Sequence, residues 1–171
     1  EEAKKFVKLI KPNKFNADYL RFLAMYYIKV GRLELALDNI NKAIQLRKHF
    51  SDYHWTRSRI LWRLQKNEEA ILSLGEADRL SPKSQLIVNS IAMMYDKINQ
   101  PDSCVYYAKK ALAIDSTRFR SYRYIIKWYA RAGQIEKANR FKSMYTRCTP
   151  TDSIQQKNLV LIDSLLANKG R

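Results

Sequence analysis

Glycine, proline, cysteine and histidine are all scarce in this chain of 171 residues, which has four, four, two and two of them. So few turn-forming residues argue against an all-β chain, because such folds need many glycine- and proline-containing turns. The four glycines form neither a GxGxxG motif nor a P-loop, which excludes those two kinds of nucleotide site. Two cysteines cannot build a disulfide framework, so apolar packing must hold the core together.

The same inventory leaves little material for catalysis or metal binding. Neither His49 nor His54 belongs to an HExxH motif or stands near a cysteine at metal-ligand spacing. Cys104 and Cys148 have no histidine at a recognisable spacing that could activate a thiol. We therefore predict no catalytic residue, no metal and no cofactor, and we expect the protein not to be an enzyme.

Long apolar runs are also missing, since none reaches the roughly 18 to 20 residues that cross a bilayer. The first residues, EEAKKFVKLIKPNKF, lack the apolar centre of a signal peptide and resemble an amphipathic helix that has already begun. We expect a soluble domain cut from a larger protein, cytoplasmic or periplasmic, with any targeting segment outside the fragment.

Positive charge is what the chain has in excess, with 32 Lys and Arg against 16 Asp and Glu and a formal net charge of +16. Residues 118–147 hold nine basic residues and one acid, Glu136. The nine are Arg118, Arg120, Arg123, Lys127, Arg131, Lys137, Arg140, Lys142 and Arg147. This balance favours acidic partners, whether a protein surface, a nucleic acid or an anionic lipid surface.

The sequence repeats itself every 34 residues, in two columns of small residues and two of large apolar residues. The columns are Ala36, Ala70, Cys104 and Ala138; Ala43, Ala77 and Ala111; Tyr27, Leu61, Tyr95 and Tyr129; and Leu46, Leu80 and Ile114. Each period contains two stretches with apolar residues at helical spacing. Gly31 and Gly133 are suited to end helices in the left-handed conformation, and Pro101 to begin one. The predicted N-caps are Ser51, Ser84 and Thr151.

These columns resemble the tetratricopeptide repeat (TPR), in which small residues let paired helices approach closely. In the first full repeat the matching residues are Leu20, Leu23, Ala24, Tyr27, Gly31, Ala36, Ile40 and Ala43. The second repeat departs from the pattern at His54, Arg57 and Ser58, and its mid-helix Gly75 suggests an especially close contact. The resemblance implies an all-α, right-handed superhelical solenoid of antiparallel helix pairs.

We predict a single TPR-like domain over residues 1–171, with about nine or ten helices in line with the 34-residue repeat. Its parts are the second helix of a truncated repeat at 1–10, full repeats at 17–50, 51–84, 85–118 and 119–150, and a capping helix at 152–168. The terminal helix is interpreted as a cap because the last repeat of such an array has an apolar face to cover.

The resemblance also implies a protein-interaction scaffold, with a ligand held in the concave groove that the first helix of each pair lines. The repeat register places ten side chains in this groove: Arg21, Met25, Trp55, Arg59, Trp62, Asn89, Met93, Arg123, Tyr124 and Lys127. Arginine and tryptophan are the residues that most often dominate binding energy at interfaces. We therefore predict that the partner is an acidic peptide or protein segment.

Other interpretations of the charge and the rings remain open at this point. Five rings lie among the cations of the basic fourth repeat: Phe119, Tyr122, Tyr124, Trp128 and Tyr129. Such interleaving is typical of nucleic-acid platforms. The basic ends would also suit an anionic membrane surface, as in the accessory domain of a membrane-anchored protein. In the plainest interpretation, the groove tryptophans only fill gaps between repeats and the arginines only solvate a face.

Overall fold

The computed structural model of the chain describes residues 16–149 and 152–167. Within those residues the chain is all-α, with nine helices and no strand. They are α1 Ala17–Lys29, α2 Leu33–Leu46, α3 Ser51–Arg63, α4 Asn67–Leu80, α5 Gln85–Lys97, α6 Pro101–Ile114, α7 Phe119–Arg131, α8 Ile135–Cys148 and α9 Ser153–Ala167. The predicted all-α fold class is confirmed, whereas the helix predicted at residues 1–10 lies outside the described residues.

The chain forms two compact units, Glu1–Pro82 and Lys83–Arg171. In the first unit α1 pairs with α2 and α3 pairs with α4, while α3 also contacts α1 and α2. In the second unit α5 pairs with α6 and α7 pairs with α8, while α7 also contacts α5 and α6. The helix α9 packs on α7 and α8. The description of the chain as one domain of four repeats stays a prediction.

The small residues at 34-residue spacing lie where paired helices touch. The fully buried members are Ala36, Ala70, Cys104, Ala138, Ala43, Ala77 and Ala111. An alanine-sized side chain allows the close approach that these helix pairs make, and a larger one would overfill it. Burial raises the pKa of the Cys104 thiol to about 12, so this cysteine is un-ionised at neutral pH and packs as a small apolar residue.

The same turn joins the two helices of each of the four described pairs. Its left-handed residue recurs every 34 residues: Gly31 at φ +76°, Gln65 at +61°, Asn99 at +60° and Gly133 at +71°. The residue that follows donates its N–H to a carbonyl five residues back, at 2.9 Å in every pair: Arg32 to Tyr27, Lys66 to Leu61, Gln100 to Tyr95 and Gln134 to Tyr129. These are Schellman-type helix ends, as the two glycines predict.

Of the predicted N-caps, only Ser84 stands at an N-cap position in the described residues. Ser51 is already the first residue of α3, and Ser84 stands at the N-cap of α5 without a capping hydrogen bond from its side chain. Asn16 caps α1, because its Oδ1 accepts two backbone N–H groups at 2.9 and 3.2 Å. Asp152 Oδ1 accepts one at 2.7 Å at the start of α9. Asn and Asp are among the strongest N-caps, while Thr151 lies outside the described residues.

Arg57 replaces an apolar residue of the repeat with a polar bridge between three helices. Its Nε donates to Asn41 Oδ1 in α2 at 3.0 Å, and its Nη1 donates to Ser73 Oγ in α4 at 2.8 Å. Ser73 is only 2% exposed. Without a partner, such a buried polar group would cost about 1–3 kcal/mol. The departure at Arg57 is therefore accommodated by two facing polar residues on the neighbouring helices.

Gly75 lies in the middle of α4 but does not make the close contact that we expected. It is exposed, and outside the backbone of its own helix no atom lies within 4 Å of the place that a Cβ would take. Glycine in a helix interior costs about 0.5–1 kcal/mol relative to alanine. We expect Gly75→Ala to raise the free energy of unfolding by up to about 1 kcal/mol, measured by urea unfolding. A less stable variant would contradict this account of the site.

The last helix covers the end of the α7–α8 pair in the second unit. Its Ile162 is fully buried in a core that includes Tyr122, Ile126 and Tyr145. Gln155 is 3% exposed, and its Nε2 donates to backbone oxygens of the α8 end at 3.1 Å. The described part of the predicted capping helix therefore both buries apolar surface and satisfies carbonyl groups at the end of α8.

Candidate partner-binding faces

Five of the predicted groove residues lie in the first unit, on α1 and α3. We call this set the α1–α3 face: Arg21, Met25, Trp55, Arg59 and Trp62. On α3 the three members recur at i, i+4 and i+7, which places them on one side of the helix. Met25 is 40% exposed, and the other four are half-buried. The face therefore combines accessible rings and guanidinium groups on neighbouring helices.

Arg59 is the least compensated cation of the α1–α3 face. Its guanidinium carbon lies 4.7 Å from the centroid of the Trp55 ring, within the range of a cation–π contact. It makes no ion pair with a carboxylate of any described residue. Burial lowers the pKa of Arg59, and the nearby charge of Arg63 lowers it further. The group is thus partly desolvated beside a second cation, and no carboxylate in the described part of the chain balances it.

Arg21 is only weakly neutralised by its neighbour on α3. Its Nη2 lies 3.7 Å from Asp52 Oδ2, and the Asp52 side chain is 62% exposed. An ion pair in this setting is worth at most about 1 kcal/mol. The Arg21 Nε is buried and has no hydrogen-bond partner among the described residues. Arg63 is engaged differently, since its Nη1 donates to the Ile28 carbonyl at 2.9 Å and ties α3 to the end of α1.

The other five predicted residues lie in the second unit, on α5 and α7, and most of them have internal partners. We call this set the α5–α7 face: Asn89, Met93, Arg123, Tyr124 and Lys127. Asn89 Oδ1 accepts a hydrogen bond from Ser121 Oγ at 2.7 Å, and Met93 packs against the core of the unit. Lys127 Nζ lies 2.7 Å from Asp96 Oδ1, with the two side chains 24% and 12% exposed. Arg123 is exposed.

Tyr124 does not lie on the surface of this face, contrary to the prediction. Its ring is 2% exposed and packs in the core with Ile125 and Trp128. The reason is that α7 is packed by α5, α6, α8 and α9, so its buried surface is much wider than one apolar stripe. Arg123 lies over the Tyr124 ring at 5.4 Å. The tyrosine therefore supports the arginine from below and is not itself accessible to a partner.

The sequence interpretation did not place the acids Asp52 and Asp96 near these faces, and it counted Arg120 and Arg131 among the basic residues without placing them on a face. Asp96 stands 34 residues after Trp62, in the same repeat column, and that column would have pointed to it. Asp52 faces α1 in the same way that Asp96 faces α7. Arg120 and Arg131 continue the line of cations on α7 at helical spacing, a signal that a count of charges does not reveal.

Among the described residues, side chains that could bind a metal or act as a nucleophile are few. No group of three or more His, Cys, Asp and Glu side chains among them is placed to hold a metal ion. Both cysteines are free thiols, Cys104 buried and Cys148 exposed. None of the helices in the described part of the chain is both long enough and apolar enough to span a membrane.

Comparison with known proteins agrees with this architecture. Residues 17–50 match the family model of the tetratricopeptide repeat. A crystal structure of MamA is similar with a TM-score of 0.72 and 18% identity, over 95% of this chain and 85% of that chain. YrrB, described as a TPR protein with an unusual peptide-binding site, gives 0.71 and 18% over 99% and 84%. PilF of Pseudomonas aeruginosa gives 0.70 and 14% over 90% and 73%. No curated protein sequence matches the chain.

One segment of the chain, residues 17–50, thus matches the tetratricopeptide-repeat family model, and the helix pairs have the fold of solved structures such as MamA and YrrB. Stacked helical repeats of this kind present extended surfaces that can bind partners.

Proposed function

We propose that this protein is a non-catalytic scaffold that holds an acidic segment of a partner protein, and that the α1–α3 face is its main contact. One observation carries the proposal, namely the half-buried guanidinium of Arg59, which lies on the ring of Trp55 and has no carboxylate partner among the described residues. A carboxylate of a partner would form a charge-assisted hydrogen bond there and compensate the desolvation of Arg59. YrrB, which has the same fold, is described as having a peptide-binding site.

The rings next to Arg59 add the apolar part of the recognition. Trp55 and Trp62 are half-buried, and Met25 is 40% exposed on the neighbouring helix. Tryptophan and arginine anchors that lie together bury apolar area and pair charge in one place, which is the usual composition of a binding hot spot. The preferred segment therefore has acidic residues next to large apolar ones.

The nucleic-acid alternative is less well supported by the positions of the rings in the fourth repeat. Tyr122 is fully buried, Tyr124 is 2% exposed and Trp128 is 8% exposed, so none of these rings is free to stack on a base. Phe119 and Tyr129 are half-buried against the core of the unit, so binding of nucleic acid or of an anionic membrane would depend mainly on charge and fall steeply with salt. No described residue favours either alternative specifically.

The test uses a short fluorescein-labelled peptide of interspersed Glu and Leu, the Glu–Leu peptide, and a twin in which every Glu is Gln. We expect the Glu–Leu peptide to bind about tenfold more tightly than its twin in fluorescence anisotropy, because only the carboxylates can pair with Arg59 and Arg21. A single-stranded oligonucleotide and anionic vesicles serve as competitors at about 150 mM salt. Equal binding of the two peptides, or displacement by either competitor, would contradict the proposal.

A further inference from the structure

The exposed side of α7 carries a line of four cations in the second unit. We call Arg120, Arg123, Lys127 and Arg131 the α7 stripe. They occur at i, i+3, i+7 and i+11, so they lie along one side of the helix. The three arginines are exposed and Lys127 is half-buried. No residue of the α7 stripe belongs to the α1–α3 face, so the stripe is a second positive surface on a different unit.

The stripe is held in place by the core beneath it. Arg123 lies 5.4 Å from the centroid of the Tyr124 ring, and Arg131 lies 5.2 Å from that of Trp128. Both rings are buried, so they cannot move away from the cations. A guanidinium resting on a fixed ring has lost part of its rotamer freedom already, and it then loses less on binding a partner.

A single carboxylate of the second unit already occupies one position of the α7 stripe. Lys127 Nζ lies 2.7 Å from Asp96 Oδ1. Arg120, Arg123 and Arg131 form no ion pair with an acid among the described residues. Asp96 therefore indicates the group that the stripe accepts, and the three arginines of the stripe have no carboxylate partner within residues 16–149 and 152–167.

The spacing of the cations indicates the shape of the ligand. Successive cations from Arg123 to Arg131 are four residues apart, which is a step of about 6 Å along a helix. In an extended chain every second residue is about 6.6 Å further along, on the same side. Long arginine side chains can take up the small difference. An extended segment with acidic side chains at alternate residues thus matches the stripe.

We propose that the α7 stripe binds an extended protein segment with Asp or Glu at alternate residues, and that Asp96 limits this binding by occupying Lys127. The proposal deepens the proposed function, on which it rests, by adding a second contact of defined register. A polynucleotide would match the charge equally well, but Tyr122, Tyr124 and Trp128 of this helix are buried and cannot stack on bases, while Phe119 and Tyr129 are half-buried against the core. The carboxylate on Lys127 also favours the acidic protein segment.

The test compares two labelled peptides of equal charge, one with Glu alternating with Ser and one with the same Glu residues in a block. We expect the alternating peptide to bind at least about threefold more tightly, and Arg123→Gln or Arg131→Gln to weaken it about fivefold each. Arg140→Gln is the matched control, because Arg140 is an exposed arginine on α8 with no partner among the described residues. We expect it to change the affinity little.

Asp96→Asn separates the proposal from simple charge attraction. Asparagine can still accept a hydrogen bond from Lys127 but brings no negative charge, so we expect binding of the alternating peptide to tighten about fivefold. Thermal unfolding checks that the variant is folded, and the Arg123 and Arg131 variants test the stripe independently if it is not. Equal affinity for the two peptides, or tighter binding of oligouridylate than of the alternating peptide, would overturn the proposal. The Glu–Leu peptide read in parallel shows whether the proposed function still stands in that case.

Discussion

Truncation of Trp55, Arg59 or Trp62 to alanine is expected to weaken binding of the Glu–Leu peptide about thirtyfold each, or roughly 2 kcal/mol. Trp55 and Trp62 supply the apolar area of the α1–α3 face, and Arg59 supplies a cation that no carboxylate of a described residue pairs with. Because Arg59 rests on Trp55, loss of the ring also releases the guanidinium. Isothermal titration calorimetry measures the three affinities.

Two variants outside the face serve as matched controls for this result. Tyr106→Ala removes a ring that is 64% exposed on α6, and Arg140→Gln removes an exposed arginine on α8. Exposed rim residues of this kind contribute little to binding energy, so we expect changes within about 0.5 kcal/mol. If the controls weaken the peptide as much as the Trp55 and Arg59 variants do, binding is diffuse and the α1–α3 face is not its centre.

Tyr122→Ala is expected to lower the free energy of unfolding by about 3–5 kcal/mol, because it empties a large fully buried site. The Tyr122 ring lies 5.3 Å from the Tyr145 ring, centroid to centroid, in the core that α9 covers. Urea unfolding followed by circular dichroism measures the loss. We expect the loss of stability in the second unit, because its core contains both tyrosines and Ile162.

Tyr122→Phe is the control for this result, because it keeps the aromatic ring and removes only the hydroxyl. The Tyr122 hydroxyl is buried and makes no hydrogen bond of ordinary geometry with a described residue; the Cys148 thiol interacts with it, but a thiol is only a weak hydrogen-bond partner. A buried polar group with only a weak partner carries an unrepaid desolvation cost, so its removal should leave stability unchanged or raise it by about 1 kcal/mol. A phenylalanine variant as unstable as the alanine variant would show that the hydroxyl, and not ring packing, holds this core.

The helix pairs could be predicted from the sequence because close packing leaves a regular trace. Only an alanine-sized residue fits where paired helices touch, so Ala36, Ala70, Cys104 and Ala138 recur at the repeat length and are all fully buried. The turn between paired helices was predictable at Gly31 and Gly133 but not at Gln65 and Asn99. Those two residues adopt the same left-handed conformation with a side chain present.

Polar contacts between helices could not be predicted from the repeat pattern of the sequence. Arg57 interrupts an apolar column, and only the structure shows that Asn41 and Ser73 face it from two other helices. Gly75 was misinterpreted for a similar reason, because a glycine in a helix signals either a close neighbour or open space. Whether such a residue has a close neighbour, and whether that neighbour is polar, depends on helices from distant parts of the chain.

The sequence predicted which helices carry the candidate site, but not which of its side chains are buried or paired. The register identified the surface helices, yet it could not show that Tyr124 is buried by the helices around α7. It also could not show that Asp96 neutralises Lys127 while Arg59 has no carboxylate partner among the described residues. Whether two charges pair depends on the distance between side chains of different helices. The spacing of residues along one helix does not give that distance. Arg123 of the other face also lacks a carboxylate among the described residues, but it is exposed. The partial burial of Arg59 beside two accessible tryptophans is therefore what favours the α1–α3 face as the main contact.

The most direct test of the central claim uses the three tryptophans of the chain as reporters. Trp55 and Trp62 belong to the α1–α3 face, whereas Trp128 is 8% exposed in the core of the second unit and serves as an internal control. The three indole N–H signals are followed by NMR on ¹⁵N-labelled protein during titration with the Glu–Leu peptide. The account predicts that the Trp55 and Trp62 signals shift together with one affinity while the Trp128 signal stays in place. Saturable binding that moves only the Trp128 signal, or none of the three, would contradict it.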